Sequence, residues 1–176
     1  MSGGNGSGKS TLARAVGTAT GAVVLDHDTT KTAVLAAGVP HPPAGNASYE
    51  VIFGLVEDLL AQGHSVIIDS PSVYEVIPRR GMTLAAVAGA AYYFVECACA
   101  IDIADRRMEA RVRRPSQVDG VTGAAAIRAS TTRVPHRPSN GTFVVDTTRP
   151  LGDCVADVLA YLDGSGASGQ SVPANA

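Results

Sequence analysis

Gly3-Gly4-Asn5-Gly6-Ser7-Gly8-Lys9-Ser10 is the stretch whose residue types and spacing point most directly to chemistry, and Thr11 follows it. It fits G-x-x-x-x-G-K-[ST] at every fixed position. Glycines let successive backbone N–H groups turn inward around a phosphate without side-chain clashes. The helix expected from Lys9 adds its positive N-terminal end. Lys9 can reach the β- and γ-phosphates of a nucleotide, and the Ser10 hydroxyl can ligate Mg²⁺. Gly3, Gly4, Asn5, Gly6, Ser7, Gly8, Lys9, Ser10 and Thr11 are therefore the nucleotide-binding candidates. A dinucleotide fingerprint is excluded because Lys9 stands where its third glycine belongs. A protein-kinase glycine loop is excluded because neither H-R-D nor D-F-G occurs downstream.

Three further groups could work beside such a loop. Val66-Ile67-Ile68-Asp69 has the form of an apolar strand ending in a carboxylate, so Asp69 either helps hold Mg²⁺ or caps the turn at Ser70-Pro71. Asp26-His27-Asp28 ends another apolar run, with Lys31 one helical turn beyond Asp28. Asp28 either accepts the proton of an attacking hydroxyl or N-caps the helix that Thr29 starts. His27 reads as a neighbour of these carboxylates, and Lys31 as a group that steers phosphate or substrate charge. The third group is the arginine cluster Arg106, Arg107, Arg111, Arg113 and Arg114. Arg107, Arg111 and Arg114 share a helical face, suited to clamping a triphosphate; Asp102, Asp105 and Glu109 could instead make it a solvated, salt-bridged face. Tyr49 and Arg79 or Arg80 are weaker candidates for a substrate pocket.

The elements that must position these groups follow from periodicity and breakers. The pattern predicts helices over Lys9–Thr20, Thr29–Ala37, Asn46–Gln62, Gly81–Ala88, Asp102–Arg113 and Gly123–Ser130, and a last one from Pro150. In the third, Val51, Ile52, Leu55, Val56, Leu59 and Leu60 form the expected apolar face. Continuous apolar runs at Ala22–Leu25, Ser65–Ile68, Ala91–Cys97 and Thr142–Val145 read as buried strands. Strands of this kind alternating with helices predict an α/β fold, a parallel sheet covered on both faces. Residues 1–163 read as one domain, and 164–176 as a disordered tail. A phosphate loop normally joins a strand to a helix, yet only Met1 and Ser2 precede Gly3. The expectation is therefore a vacancy in the middle of the sheet and an apolar run upstream in the intact gene.

Composition sets the outer limits. The 176 residues carry 14 basic and 16 acidic side chains, a net charge of −2 that argues against a nucleic-acid binder driven by charge. No apolar run reaches the length of a membrane span; the longest, Leu84 to Val95, is interrupted by Gly89. Three cysteines are an odd number for a disulfide framework, which leaves cytoplasmic residence as the default. Cys97 and Cys99 read as small buried hydrophobes on one strand face.

With these residues in place, the chain resembles the P-loop kinase-like families, small kinases of the AAA-domain class related to zeta toxins and chloramphenicol phosphotransferase. The resemblance rests on Gly3 to Thr11, on D-x-x-K at Asp28 to Lys31 where those families often have D-x-x-R, and on Gly63 to Asp69 as Walker B. Arg107-Met108-Glu109-Ala110-Arg111 is similar to their R-L-x-x-R lid helix, which would place an arginine-rich lid around residues 102–122. The resemblance implies a three-layer sandwich with strand order 2-3-1-4-5, the strand before the phosphate loop being third of five. It implies transfer of the ATP γ-phosphoryl group to a hydroxyl of a small molecule, with Asp28 as base, Lys9, Arg107 and Arg111 in the catalytic set, and Ser10 and Asp69 on Mg²⁺. An ATP-binding or ATP-hydrolysing module without transfer is the alternative, and a polynucleotide 5′-kinase a more distant one.

Overall fold

The computed structural model describes residues 1–110, 116, 136–138 and 141–164. Arg111, Arg113 and Arg114, the helix expected over 123–130 and the tail beyond residue 164 lie outside the described residues.

Strands and helices alternate in the order α1 (Lys9–Thr20), β1 (Val23–Asp26), α2 (His27–Ala36), α3 (Pro43–Ala61), β2 (Val66–Asp69), α4 (Val76–Val87), β3 (Val95–Ala98), α5 (Ile101–Glu109), β4 (Phe143–Asp146) and α6 (Leu151–Leu162). Strand β1 pairs in parallel with β2, from Val23 opposite Val66 to Asp26 opposite Asp69. Strand β3 pairs in parallel with β4, from Val95 opposite Phe143 to Ala98 opposite Asp146. Met1 and Ser2 lie between the two pairs. The Met1 nitrogen donates to Ile68 O at 3.0 Å, and Ser70 N donates to Met1 O at 3.2 Å. On the other side Ser2 N donates to Val95 O at 2.7 Å, and Cys97 N to Ser2 O at 2.8 Å. The order across the sheet is therefore β1, β2, Met1–Ser2, β3, β4, which is 2-3-1-4-5 when the N-terminal residues count as the first strand. The sheet is truncated at its centre as expected: among the described residues no full strand stands between the two pairs, and Met1 and Ser2 link them.

One core lies between the sheet and the pair α1 and α6. Leu12 and Val16 of α1 and Cys154 and Val158 of α6 pack on Val95, Cys97 and Val145, with Ile67 and Phe143 at the margin. The buried side of α1 is Leu12, Ala13, Val16 and Gly17, whereas Ala19, expected on that face, is exposed. Burial on α3 also differs from the expected face: Ile52, Phe53 and Val56 are buried, while Val51 and Leu55 are 46% and 43% exposed. Six apolar positions on α3 span a wider arc than one contact surface can cover, so the outer two face solvent.

Helix starts depart from expectation at prolines. Helix α3 begins at Pro43, three residues before Asn46, because proline at the first helical position lacks only an N–H that has no intrahelical partner. Helix α4 begins at Val76 and holds Pro78 in its first turn for the same reason. Strand β3 starts at Val95, so Tyr92, Tyr93 and Phe94, expected within it, precede it. Cys99 lies beyond its end and is half-buried, in contrast to the buried Cys97. No helix among the described residues is long and apolar enough to cross a membrane.

Helix α1 comes close to β1 at Gly17. A Cβ there would stand 2.6 Å from Val24 Cγ2 and 3.1 Å from Ala22 O. Alanine would favour the helix by about 1 kcal/mol, but overpacking costs about 1–3 kcal/mol. Gly17→Ala should therefore lower unfolding stability in a denaturant titration. A stabilised variant would show that α1 can lift off β1 at little cost.

Candidate functional site

The glycine loop takes its shape from left-handed backbone. Gly6 has φ 78°, and Gly8, the residue capping α1, has φ 80°. No side chain caps α1, which leaves its first-turn N–H groups facing outward for an anion. The loop is held from outside by two elements distant in sequence. Thr147 Oγ1 lies 2.6 Å from Ser7 O and 3.0 Å from Ala98 O, both acceptors for its single proton. Arg107 on α5 donates from Nη2 to Thr147 O at 2.8 Å and reaches Gly6 O from Nη1 at 3.4 Å. Between these pieces opens a cleft of about 440 Å³, bordered by Gly8, Lys9, Ser10, Thr11, Arg107 and Arg149 among others.

Asp69 ends β2 next to this loop and is 2% exposed. Burial raises its pKa; the Lys9 charge and a hydrogen bond from the Ser10 hydroxyl pull it back, while neighbouring Asp26 pushes it up again. Asp69 Oδ1 is buried with no hydrogen-bond partner. A buried carboxylate oxygen without a donor, beside a serine hydroxyl and at the phosphate loop, fits a hard divalent cation that takes oxygen ligands. No cluster of three or more His, Cys, Asp or Glu with metal-binding geometry occurs among the described residues, so such an ion would draw its other ligands from phosphate and water.

A second group surrounds Asp28. Asp26, not Asp28, caps α2: its carboxylate accepts from Asp28 N at 2.9 Å and Thr29 N at 3.2 Å. Arg14 Nη2 also donates to Asp26 at 2.9 Å. The helix thus starts at His27, two residues before Thr29, and Asp28 is not its cap. His27 is buried and stacks on Tyr49, with ring centroids 4.0 Å apart. Its Nε2 lies 2.9 Å from Ser48 Oγ, and its Nδ1 lies 4.0 Å from Asp28 Oδ1. Burial lowers the His27 pKa; Asp28, the Gly45 carbonyl and Asp26 raise it, and Lys31 lowers it further. Tyr49 shares a hydrogen bond of 2.8 Å with the buried Ser70, and burial pushes its phenol up to about 12. Lys31 is buried and donates from Nζ to Ser116 O at 3.3 Å.

The family model described as AAA domain matches residues 1–132. The chain belongs to the AAA domain family. No curated protein matches it in sequence. Among solved structures, this AAA domain chain is similar to a candidate kinase from Chloroflexus aurantiacus, at 22% identity and TM-score 0.71 over 87% of this chain and 91% of that one. It is similar to the APS kinase of Mycobacterium tuberculosis in complex with AMPPNP and APS, at 23% identity and TM-score 0.68 over 92% and 94% of the two chains. A gluconokinase from Sinorhizobium meliloti follows at 20% identity and TM-score 0.61, covering 93% and 89%. At these identities the likeness is one of fold: the AAA domain here has the architecture of P-loop kinases.

The structure brings Lys9, Ser10, Asp69 and Arg107 to one loop and gathers Asp28, Lys31, His27 and Tyr49 beyond the end of β1. Arg111 lies outside the described residues. Arg80 does not join either group; it pairs with Glu50 and lies 4.4 Å over the Phe53 ring. Arg79 is exposed on α4. Sequence reasoning missed Thr147, whose only local signal is the hydroxyl pair Thr147-Thr148 after the last strand. It also missed Glu96, a buried carboxylate that receives both Nε and Nη2 of Arg137, at 2.7 and 2.9 Å; nothing local links those two positions.

A Cβ at Gly6 would stand 2.4 Å from the backbone oxygen of Ala104, and the left-handed backbone adds about 1–2 kcal/mol for any L side chain. Gly6→Ala should therefore push the loop off α5 and weaken nucleotide binding at least tenfold in calorimetry, by roughly 1.4 kcal/mol or more. Unchanged affinity would show that the cradle does not depend on this contact.

Proposed function

We propose that this AAA domain protein is a Mg²⁺-dependent kinase that transfers the γ-phosphoryl group of ATP to a hydroxyl of a small molecule. The observation that carries this reading is the pairing of an uncapped, glycine-shaped phosphate loop with Asp69, whose buried Oδ1 has no partner and whose carboxylate meets the Ser10 hydroxyl. The kinase architecture of its structural relatives supports it, one of them an APS kinase holding AMPPNP and APS. Domain and lid follow the same reading: residues 1–163 form the catalytic domain, and the arginine-rich stretch around 102–122 its lid.

Gly3 to Gly8 and the start of α1 hold the phosphates through backbone N–H groups, and Thr11 extends the cradle. Lys9 places its charge against the β- and γ-phosphates. Ser10 and Asp69 are the residues that would hold Mg²⁺, which when bound neutralises charge on the transferring group. Arg107, docked on the loop carbonyls, and Arg111 supply the lid side of the triphosphate. Asp28, on the first turn of α2, accepts the proton of the attacking hydroxyl. Lys31, one turn further, sets the charge of the acceptor side. The net charge of −2 disfavours a polynucleotide acceptor.

The test incubates the protein with γ-labelled ATP, Mg²⁺ and a small-molecule extract of the source cell, beside Asp28→Asn. A labelled small molecule should form with the unsubstituted protein. Asp28→Asn should lower transfer by about 10²–10⁴-fold, the span of general-base catalysis, with nucleotide affinity unchanged. Release of phosphate without any labelled acceptor, equal in both samples, would replace the kinase by an ATP-hydrolysing module. Asp69→Asn should still bind nucleotide without metal but lose the tightening that Mg²⁺ brings. Calorimetry with and without Mg²⁺ reads this directly, and equal Mg²⁺ enhancement in both proteins would remove Asp69 from the metal site.

A further inference from the structure

Glu96 is a buried carboxylate in the middle of β3. Val95 and Cys97 on either side of it point into the core under α1 and α6, so Glu96 points to the opposite face of the sheet. It lies opposite Ser2, at the link between the two strand pairs. A carboxylate so placed is tolerated when it is paired. Arg137 supplies the pairing with a two-pronged contact, Nε to Oε2 at 2.7 Å and Nη2 to Oε1 at 2.9 Å. Such a fork fixes orientation as well as charge. Residue 137 is therefore pinned to β3.

The residue before it is tied to the other half of the sheet. His136 N donates to Ser72 O at 2.8 Å, and His136 Nε2 lies 3.4 Å from Glu75 Oε2. The dipeptide His136–Arg137 thus straps the loop after β2 to β3. That loop holds Ser72, with φ 49° the non-glycine residue of left-handed backbone among the described residues. The conformation is unfavourable for an L side chain, and it persists where the surroundings over-determine it. Here Ser72 N donates to the Ser70 hydroxyl at 3.1 Å, Ser72 O accepts from the strap, and Pro71 O accepts from Ser2 Oγ at 3.1 Å. The turn in this way aims Ser70, whose Oγ shares a 2.8 Å hydrogen bond with the Tyr49 hydroxyl. Tyr49 stacks on His27, next to Asp28.

We infer that Arg137 is a positioning residue for the acceptor side of the site: locked on Glu96, it holds Ser72 in its left-handed turn and so keeps the Ser70 hydroxyl on Tyr49. This rests on the reading of the protein as a kinase whose acceptor sits at Asp28 and Tyr49. The phosphate loop is held separately, by Thr147 and Arg107, so releasing the strap should separate acceptor effects from nucleotide effects.

Removing Arg137 alone would strand the Glu96 charge. The test therefore replaces both, Glu96→Leu with Arg137→Met, since apolar residues of similar volume often replace a buried ion pair without loss of stability. Hydrogen exchange read by mass spectrometry should then rise about tenfold over residues 70–76, the mark of local opening, and stay unchanged over residues 3–12. With γ-labelled ATP, Mg²⁺ and the small-molecule extract of the source cell, transfer should fall about tenfold to hundredfold, the scale of a misplaced substrate contact. Calorimetry should give unchanged affinity for AMPPNP. Adding Ser72→Gly, which takes positive φ without strain, should recover most of the transfer, a recovery that a merely structural role does not predict. Arg137→Lys keeps the charge without the fork; it should show the same pattern at smaller size, and serves where the apolar pair does not fold. Unchanged exchange over residues 70–76 would overturn the strap whatever the reaction is. Faster exchange with full transfer, or transfer and AMPPNP affinity lost together, would overturn the positioning role and leave the kinase reading standing. Failure of the unsubstituted protein to label any small molecule would overturn the kinase reading itself, and the acceptor-side role with it.

Discussion

Four backbone hydrogen bonds made by Met1 and Ser2 join the two strand pairs, and the placement of every candidate catalytic group depends on them. Without that link β1–β2 and β3–β4 would be separate parallel pairs, and parallel pairing of two strands alone is marginal. With it, the C-terminal ends of all four strands reach the same rim. Asp26 and Asp69 come from one side of the sheet, while Arg107 on α5 and Thr147 after β4 come from the other. The glycine loop leaves directly from the joining segment. Its position is therefore tied to both halves at once, as ligand sites at the carboxyl ends of open parallel sheets require.

Charge is distributed on that rim in a way that gives neighbouring carboxylates different tasks. Asp26 is spent on capping α2 and on Arg14. Its cross-strand neighbour Asp69 is buried, and its ionised form depends on Lys9 and Ser10 for compensation. Asp28 lies in the first turn of α2, partly exposed, with its Oδ1 4.0 Å from His27 Nδ1. One carboxylate is taken up by the fold, one is buried at the glycine loop and one is partly exposed on α2, so burial and local partners set the three apart.

Much of this was legible in the sequence where the governing interactions are local. Helix α1 has its expected bounds because Gly8 and Gly21 punctuate it on both sides. The strands at Ala22–Leu25, Ser65–Ile68 and Thr142–Val145 were recognised by their apolar residues, and each ladder runs on into an aspartate, Asp26, Asp69 or Asp146, of which Asp69 was readable as a strand end from the sequence. Hydrophobic patterning ends with the last apolar side chain, whereas the hydrogen-bonded ladder continues through the carboxylate that follows. The glycine loop was legible because eight consecutive residues define it. Thr147 with Ser7, Arg137 with Glu96 and Ser48 with His27 were not, because each joins positions distant in sequence through a single side chain. Asp28 shows an intermediate case: its nearness to the strand end was readable, but which aspartate caps α2 depended on where the helix starts.

The hydroxyl of Thr147 gives the phosphate loop a compliant seat. One proton is divided between Ser7 O and Ala98 O, and Ala98 O already accepts from Thr147 N at 2.9 Å, so the share given to Ser7 O is less than a whole bond. A whole bond contributes about 1 kcal/mol net, and a shared one holds the loop less firmly than that. When the loop shifts toward an incoming anion, the proton can settle wholly on Ala98 O, so little is lost at Thr147. The cradle can thus yield at its Ser7 end while remaining anchored through Arg107 at Gly6, a pivot built from one threonine and one arginine.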